Sequence, residues 1–168
     1  MVFQIELLNS KVHDRANFSC GESSLDNYIK QRASQDVKKQ VSAAFVLLDK
    51  PDVEILGYYT LSSYIIEVEN LDSAVAKKLP HYPAFPATLL GRLAVHQSQQ
   101  GKQLGELLLL DALNRSLSAS KEVASLAVIV DALNDRAVQF YVKYGFRKFK
   151  GEPMKLYLLM QSIKKLFQ

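Results

Sequence analysis

The stretch Gly91-Arg92-Leu93-Ala94-Val95-His96-Gln97-Ser98-Gln99-Gln100-Gly101-Lys102-Gln103-Leu104-Gly105 decides how this chain folds. Around its start, Leu89, Leu90, Leu93, Ala94 and Val95 make a short apolar run of the length expected for a buried strand. After the polar middle, a helix is predicted. Leu104, Leu107, Leu108, Leu110, Leu113 and Leu117 cover most of its surface, and Asp111, Asn114, Arg115 and Ser118 form a polar stripe. Strand, glycine-bearing loop and helix N-terminus together make an anion site, because free backbone N–H groups converge there and the helix dipole favours negative charge. Two common phosphate loops are excluded. A P-loop needs Ser or Thr after Gly-Lys, and Lys102 is followed by Gln103. A dinucleotide fingerprint needs three spaced glycines, and only Gly101 and Gly105 are present.

The rest of the chain narrows the class. Its 168 residues suit a single domain, 1–168, and 48% hydrophobic content argues against disorder. No apolar run approaches the ~20 residues of a membrane span, and no signal-peptide core opens the chain. A single cysteine, Cys20, excludes an internal disulfide and fits a reducing cytoplasm. His13, His81 and His96 are scattered with no ligand spacing, so no metal site is expected. A net charge of +4 is mild support for a polyanionic partner.

In chain order, Phe3–Leu7 alternates as a strand should, and Ser23-Ser24-Leu25-Asp26 has the pattern of a capping box. The helix after it places Leu25, Tyr28, Ile29, Ala33 and Val37 on one face and Lys30, Gln31, Gln35 and Lys38 on the other. Ala43–Leu48 and Glu54–Leu61 form a predicted hairpin, and Tyr64–Val68 a third strand of the meander. Leu71–Leu79 reads as a short helix, after which Pro80, Pro83 and Pro86 should suspend regular structure. Leu126–Val130 is a second buried strand, expected parallel to the first across a right-handed crossover. Asn134 is a good N-cap and Gly145 a good stop for the next helix; Phe146–Phe149 and Lys155–Met160 make a closing pair of strands. The order predicts an α+β fold.

Gln100–Gly105 resembles the Q/R-x-x-G-x-G/A pyrophosphate loop of the GNAT acetyltransferases, with Gln103 where the middle glycine is expected. Asn134-x-x-Ala137-x-x-x-Tyr141-x-x-x-Gly145-Phe146 is similar to the second GNAT signature, in the right order and at the expected separation. A narrower resemblance covers almost the whole chain. Cys20-Gly21-Glu22-x-x-Leu25-Asp26-x-Tyr28, Gly57-Tyr58-Tyr59-Thr60-Leu61-Ser62, Lys78-Leu79-Pro80-x-Tyr82-Pro83 and Leu90–Val95 resemble the TacT-type GNAT toxins of bacterial toxin–antitoxin pairs. His96 departs from them, standing where an acidic residue is common.

The resemblance implies a mixed central sheet, split between its two central strands and flanked by helices. It implies acetyl-CoA as acetyl donor and aminoacyl-tRNA as acceptor, with translation blocked by acetylation of the α-amine. A ribbon-helix-helix antitoxin and a bacterial cytoplasmic setting follow from it, and a homodimer stays open. Leu93, Ala94 and Val95 would hold the thioester carbonyl and pantetheine through their backbone. Backbone groups of Gln100, Gly101, Lys102, Gln103, Leu104 and Gly105 would take the pyrophosphate, with weakened or altered geometry at Gln103. Asn134, Ala137 and Phe140 would border the pantetheine, and Tyr141 would give a proton to the departing thiolate. Lys30, Lys38, Lys39, Lys77, Lys78, Arg92 and Arg136 are the cations expected to meet tRNA phosphates. No residue stands out as a general base, and a model α-amine, with a pKa of roughly 7.7–8.0, needs no strong one. Two other readings remain: a GNAT acting on a protein N-terminus or small amine, and a degenerate GNAT domain that only binds.

Overall fold

Residues 84–95 form the strand on which the fold turns, in a computed structural model that describes residues 1–168. Seven strands make one mixed sheet: β1 (Phe3–Leu7), β2 (Ala43–Asp49), β3 (Gly57–Glu67), β4 (Ala84–Val95), β5 (Ala127–Asp131), β6 (Arg147–Phe149) and β7 (Glu152–Leu159). Their order is β1-β2-β3-β4-β5-β7-β6. β1 to β3 are antiparallel neighbours, whereas β4 and β5 run parallel with α4 (Leu104–Ser120) in the crossover. Their register covers only Thr88↔Val128, Leu89↔Ile129 and Leu90↔Val130. From Gly91 to Val95, β4 therefore runs on with no partner in β5. This is the expected split between the central strands.

The chain divides into two compact units, Met1–Ser62 with Gly91–Ala112 and Ser63–Leu90 with Leu113–Gln168. In the first, α1 (Ser23–Asn27) passes through a π-helical turn at Tyr28–Arg32 into α2 (Ala33–Lys38). The apolar stripe read from the sequence is the face that packs: Tyr28, Ile29 and Ala33 are buried with Val46, Leu48, Tyr58 and Ala94, and Leu25 and Val37 lie against them. In the second unit, Ile66, Phe85, Ala87, Ala127, Ile129, Phe149 and Tyr157 form a buried cluster beside α3 (Ser73–Ala76). α5 (Asp135–Lys143) and α6 (Met160–Leu166) complete it.

Several local expectations are corrected. Ser23 and Asp26 do not make a capping box: Glu22 occupies the N-cap with no side-chain bond, and Asp26 Oδ1 instead accepts the Cys20 N–H at 2.8 Å. Tyr64–Val68 is no third strand, because Tyr64–Glu67 continues β3. Pro86 lies inside β4, exposed and ahead of the β5 register; its carbonyl accepts from Leu126 N–H, and no ladder proton is missed. Met160 begins a helix that the apolar pattern of β7 concealed. On α4, Asp111 of the polar stripe accepts a 2.6 Å hydrogen bond from the Tyr59 hydroxyl.

Candidate active site

The loop after β4 is built by its own polar residues. His96 caps a 3₁₀ turn, Gln97–Gln99, its Nδ1 accepting the Ser98 N–H at 3.1 Å while Nε2 lies 3.0 Å from the Asn17 carbonyl. With Nδ1 accepting, the proton sits on Nε2 and is donated to Asn17. The imidazole thus does the capping that an acidic residue would do here, and ties the turn to the segment before α1 as well. Gln97 N–H donates to the Ser19 carbonyl at 2.8 Å. Gln100 Nε2 donates to the carbonyls of Cys20 at 2.8 Å and Val95 at 3.0 Å, clamping the loop onto the end of β4. Cys20 is a half-buried thiol whose pKa burial pushes up to about 11.

Beyond this clamp the backbone turns left-handed twice, at Gly101 (φ +82°) and Gln103 (φ +63°). Gln103, where weakened or altered geometry is expected, does not have the negative φ of an ordinary residue and adopts the conformation that glycine would take. The N–H groups of Gly101, Lys102, Gln103, Leu104 and Gly105 find no acceptor within the chain, and they lead into the first turn of α4. Gln100 does not join them, since its N–H bonds to the Gln97 carbonyl at 3.3 Å. Five free donors at the start of a 17-residue helix fit a diphosphate. Lys102 Nζ is turned back onto Gln99 Oε1 at 3.3 Å. Leu93 and Val95 are half-buried on the part of β4 that has no β5 partner, and Ala94 is buried.

In the second unit Asn134 caps α5, its Oδ1 accepting the Ala137 N–H at 2.9 Å, and Gly145 stops the helix at φ +97°. One turn from the end, Tyr141 is 7% exposed, packed edge-on by Phe140 at 5.2 Å and tilted against Phe146 at 5.3 Å. Burial raises its phenol pKa well above the ordinary value, so it holds its proton at neutral pH. Its hydroxyl has no hydrogen-bond partner in the chain. A buried, protonated and unengaged phenol is suited to meeting a ligand atom. Ala137 and Phe140 are half-buried beside it.

The expected cations fall in both units. Arg92, half-buried on β4, stacks its guanidinium 3.5 Å from the centroid of the Tyr28 ring, a contact that holds it in place. Lys30 is half-buried in the π turn, and Lys38 and Lys39 are exposed at the end of α2. In the second unit, Lys77 and Lys78 are exposed after α3, and Arg136 is exposed in the first turn of α5. Lys155, which the sequence pattern did not single out, is a half-buried cation where β7 passes from exposed to buried residues. No group of His, Cys, Asp and Glu could hold a metal ion, and no helix is long and apolar enough to cross a membrane.

Residues 86–166 match the model of the acetyltransferase (GNAT) domain. The chain is 35% identical over 157 residues to the tRNA-acetylating toxin of Mycobacterium tuberculosis (strain ATCC 25618 / H37Rv), covering 94% of this chain and 92% of that protein. It superposes on AtaT complexed with acetyl-methionyl-tRNAfMet with a TM-score of 0.92 at 32% identity, covering 99% and 100% of the two chains. A Tyr-to-Phe mutant of AtaT, bound to the C-terminus of the antitoxin AtaR and to acetyl-CoA, matches with a TM-score of 0.84 at 28% identity, over 99% and 98%. The mixed seven-stranded sheet, the loop after β4 and these relationships along the full chain agree: the chain belongs to the GNAT acetyltransferase family, among the TacT-type toxins.

Proposed function

We propose that this chain, acting over residues 1–168 as one GNAT domain in the bacterial cytoplasm, moves the acetyl group of acetyl-CoA to the α-amine of aminoacyl-tRNA. The observation that carries this is the relationship along the full chain to a tRNA-acetylating toxin, joined to the close fold match with AtaT on its acetylated tRNA. An amide cannot attack the growing peptidyl ester, so the product arrests elongation.

The chemistry needs few side chains. The neutral amine attacks the thioester carbonyl; a C–N bond forms, the C–S bond breaks, and the amine proton leaves to solvent. The free N–H groups of Gly101–Gly105 support diphosphate binding, and the open edge of β4 at Leu93–Val95 supports a carbonyl held by backbone donors. Tyr141 supplies the proton for the departing thiolate. Its raised pKa does not disqualify it, because the same dry surroundings raise the pKa of the thiol it protonates. Arg92, Arg136 and the surface lysines meet phosphates, so acetylation should weaken with salt. The antitoxin is a ribbon-helix-helix protein, and the bound C-terminus in the AtaT structure supports inhibition by a segment of such a partner.

Labelled acetyl-CoA incubated with charged tRNA and with an amine-bearing peptide tests the reading. The tRNA should be acetylated much faster. Tyr141→Phe should lower the rate by ~10²–10⁴-fold without changing acetyl-CoA affinity, and should abolish translational arrest when expressed in a bacterium. Acetylation of the peptide with tRNA left unmodified replaces this reading with that of a conventional GNAT.

A further inference from the structure

The apolar face of the second unit ends in a charged pair. Ala127 and Ile129 of β5 and Tyr157 of β7 are buried together with Phe85 and Ala87 of β4. Side chains alternate along a strand, so Asp131 continues the face of Ala127 and Ile129, and Lys155 that of Tyr157. The two are direct cross-strand partners in the β5–β7 register. Lys155 Nζ donates to the Tyr64 hydroxyl at 2.7 Å, lies 5.0 Å from the centroid of that ring, and stands 3.5 Å from Asp131 Oδ1. Its side chain is 21% exposed and that of Asp131 52%.

The Tyr64 hydrogen bond and the nearby carboxylates hold Lys155 in its charged form, so the cation stands ready, in a fixed place, at the end of an apolar face. Lys155 has three N–H donors, of which Tyr64 and Asp131 engage two, and the third finds no acceptor in the chain. The second carboxylate oxygen of Asp131 is equally unengaged.

Position supplies the purpose. Asp131 follows Val130, the last residue of β5 in register with β4, and precedes by three the residue that caps the helix of Tyr141. Ligands of open sheets bind beyond the carboxyl ends of strands at such a divergence. Asp131 balances the Lys155 cation and Glu152 adds negative charge nearby, so the cluster has no excess of positive charge. That balance suits a neutral group bearing donors and acceptors better than a phosphate. In aminoacyl-tRNA, that group is the terminal ribose with its aminoacyl ester.

We propose that Lys155, Tyr64 and Asp131 form the subsite for the terminal ribose and aminoacyl ester of the acceptor. Lys155 donates to the ester carbonyl, Asp131 accepts from the free ribose hydroxyl, and Tyr64 holds Lys155 in place. This rests on the aminoacyl-tRNA reading above, and the test separates the two. Its substrates are tRNAs charged through a stable amide, with and without the vicinal hydroxyl on the terminal ribose. If the parent protein acetylates neither these nor ordinary charged tRNA, the function reading fails before any variant is compared. Otherwise Asp131→Ala and Lys155→Met should each raise KM for the hydroxyl-bearing tRNA by about fivefold or more, the size of one lost hydrogen bond. KM for acetyl-CoA should stay within about twofold of the parent. Removing the hydroxyl should weaken the parent by a similar factor and add little to Asp131→Ala, as expected for a coupled pair. Unchanged KM in both variants, equal hydroxyl effects in parent and Asp131→Ala, or a parallel loss of acetyl-CoA binding would each overturn the subsite.

Discussion

Gln103 shows what a single backbone angle decides. A side chain at φ +63° costs roughly 1–2 kcal/mol against a right-handed conformation, and glutamine accepts that cost here because the surrounding turn is held on both sides. His96 and Gln100 anchor the entry to the loop with four hydrogen bonds of 2.8–3.1 Å, and α4 fixes its exit. The motif glycine is therefore dispensable at this position, while its conformation is not. Gln103→Gly should leave acetyl-CoA affinity within about twofold of the parent, since glycine takes the same angle freely. Gln103→Val should weaken it at least about tenfold, because a β-branched side chain disfavours positive φ and would pull the N–H groups out of line. Calorimetric titration of both variants checks this; equal affinity for the valine variant would show that the left-handed turn does not matter for binding.

At the scale of elements, β3, β4 and α4 meet with almost no room to spare. A Cβ built on Gly57 would stand 2.9 Å from Leu108 Cδ1 and 3.0 Å from the Ala94 carbonyl oxygen. The leucine methyl can swing aside; a backbone carbonyl in the central strand cannot. Gly57→Ala should therefore destabilise the fold by about 1–3 kcal/mol, the usual cost of overpacking, and urea unfolding would measure it. Because Ala94 lies on the part of β4 that has no β5 partner, the same variant should also raise KM for acetyl-CoA. A Gly57→Ala protein as stable as the parent would mean that β3 and β4 move apart at little cost.

For the molecule as a whole, buried phenols set the alkaline limit. Burial, then a 2.7 Å hydrogen bond to Asp36, pushes the Tyr28 pKa up to about 12, and burial raises Tyr58 and Tyr141 as well. Each of these groups holds its proton more tightly when folded than when unfolded. Their contribution to stability is complete below the ordinary tyrosine value of ~10 and is lost as pH climbs above it. Cys20, raised to about 11, acts with the same sign from the ordinary thiol value of ~8.5 upward. Melting temperature should accordingly fall only slightly between pH 8.5 and 10, then steeply beyond. Thermal melts across that range decide the matter, and a flat profile up to pH 11 would contradict the burial of these side chains.

What the sequence determined by itself is what depends on a few neighbouring residues. The apolar run ending at Val95, the loop Gln100–Gly105, the Asn134 cap on Ala137 and the stop at Gly145 are all local, and the structure realises each of them. The face of Tyr28, Ile29 and Ala33 was likewise legible, because helical spacing alone puts those side chains together. The capping box at Ser23 failed because a distant demand took its acid: Asp26 serves the loop at Cys20. Tyr64 merged into β3, β7 entered between β5 and β6, and Met160 turned helical, since strand length and order are settled by pairing across the sheet. The φ of Gln103 depends on anchors contributed by Asn17 and Cys20. Lys155 finds Tyr64 at a separation of 91 residues, a partnership that no local pattern encodes and that only the folded sheet brings within 2.7 Å.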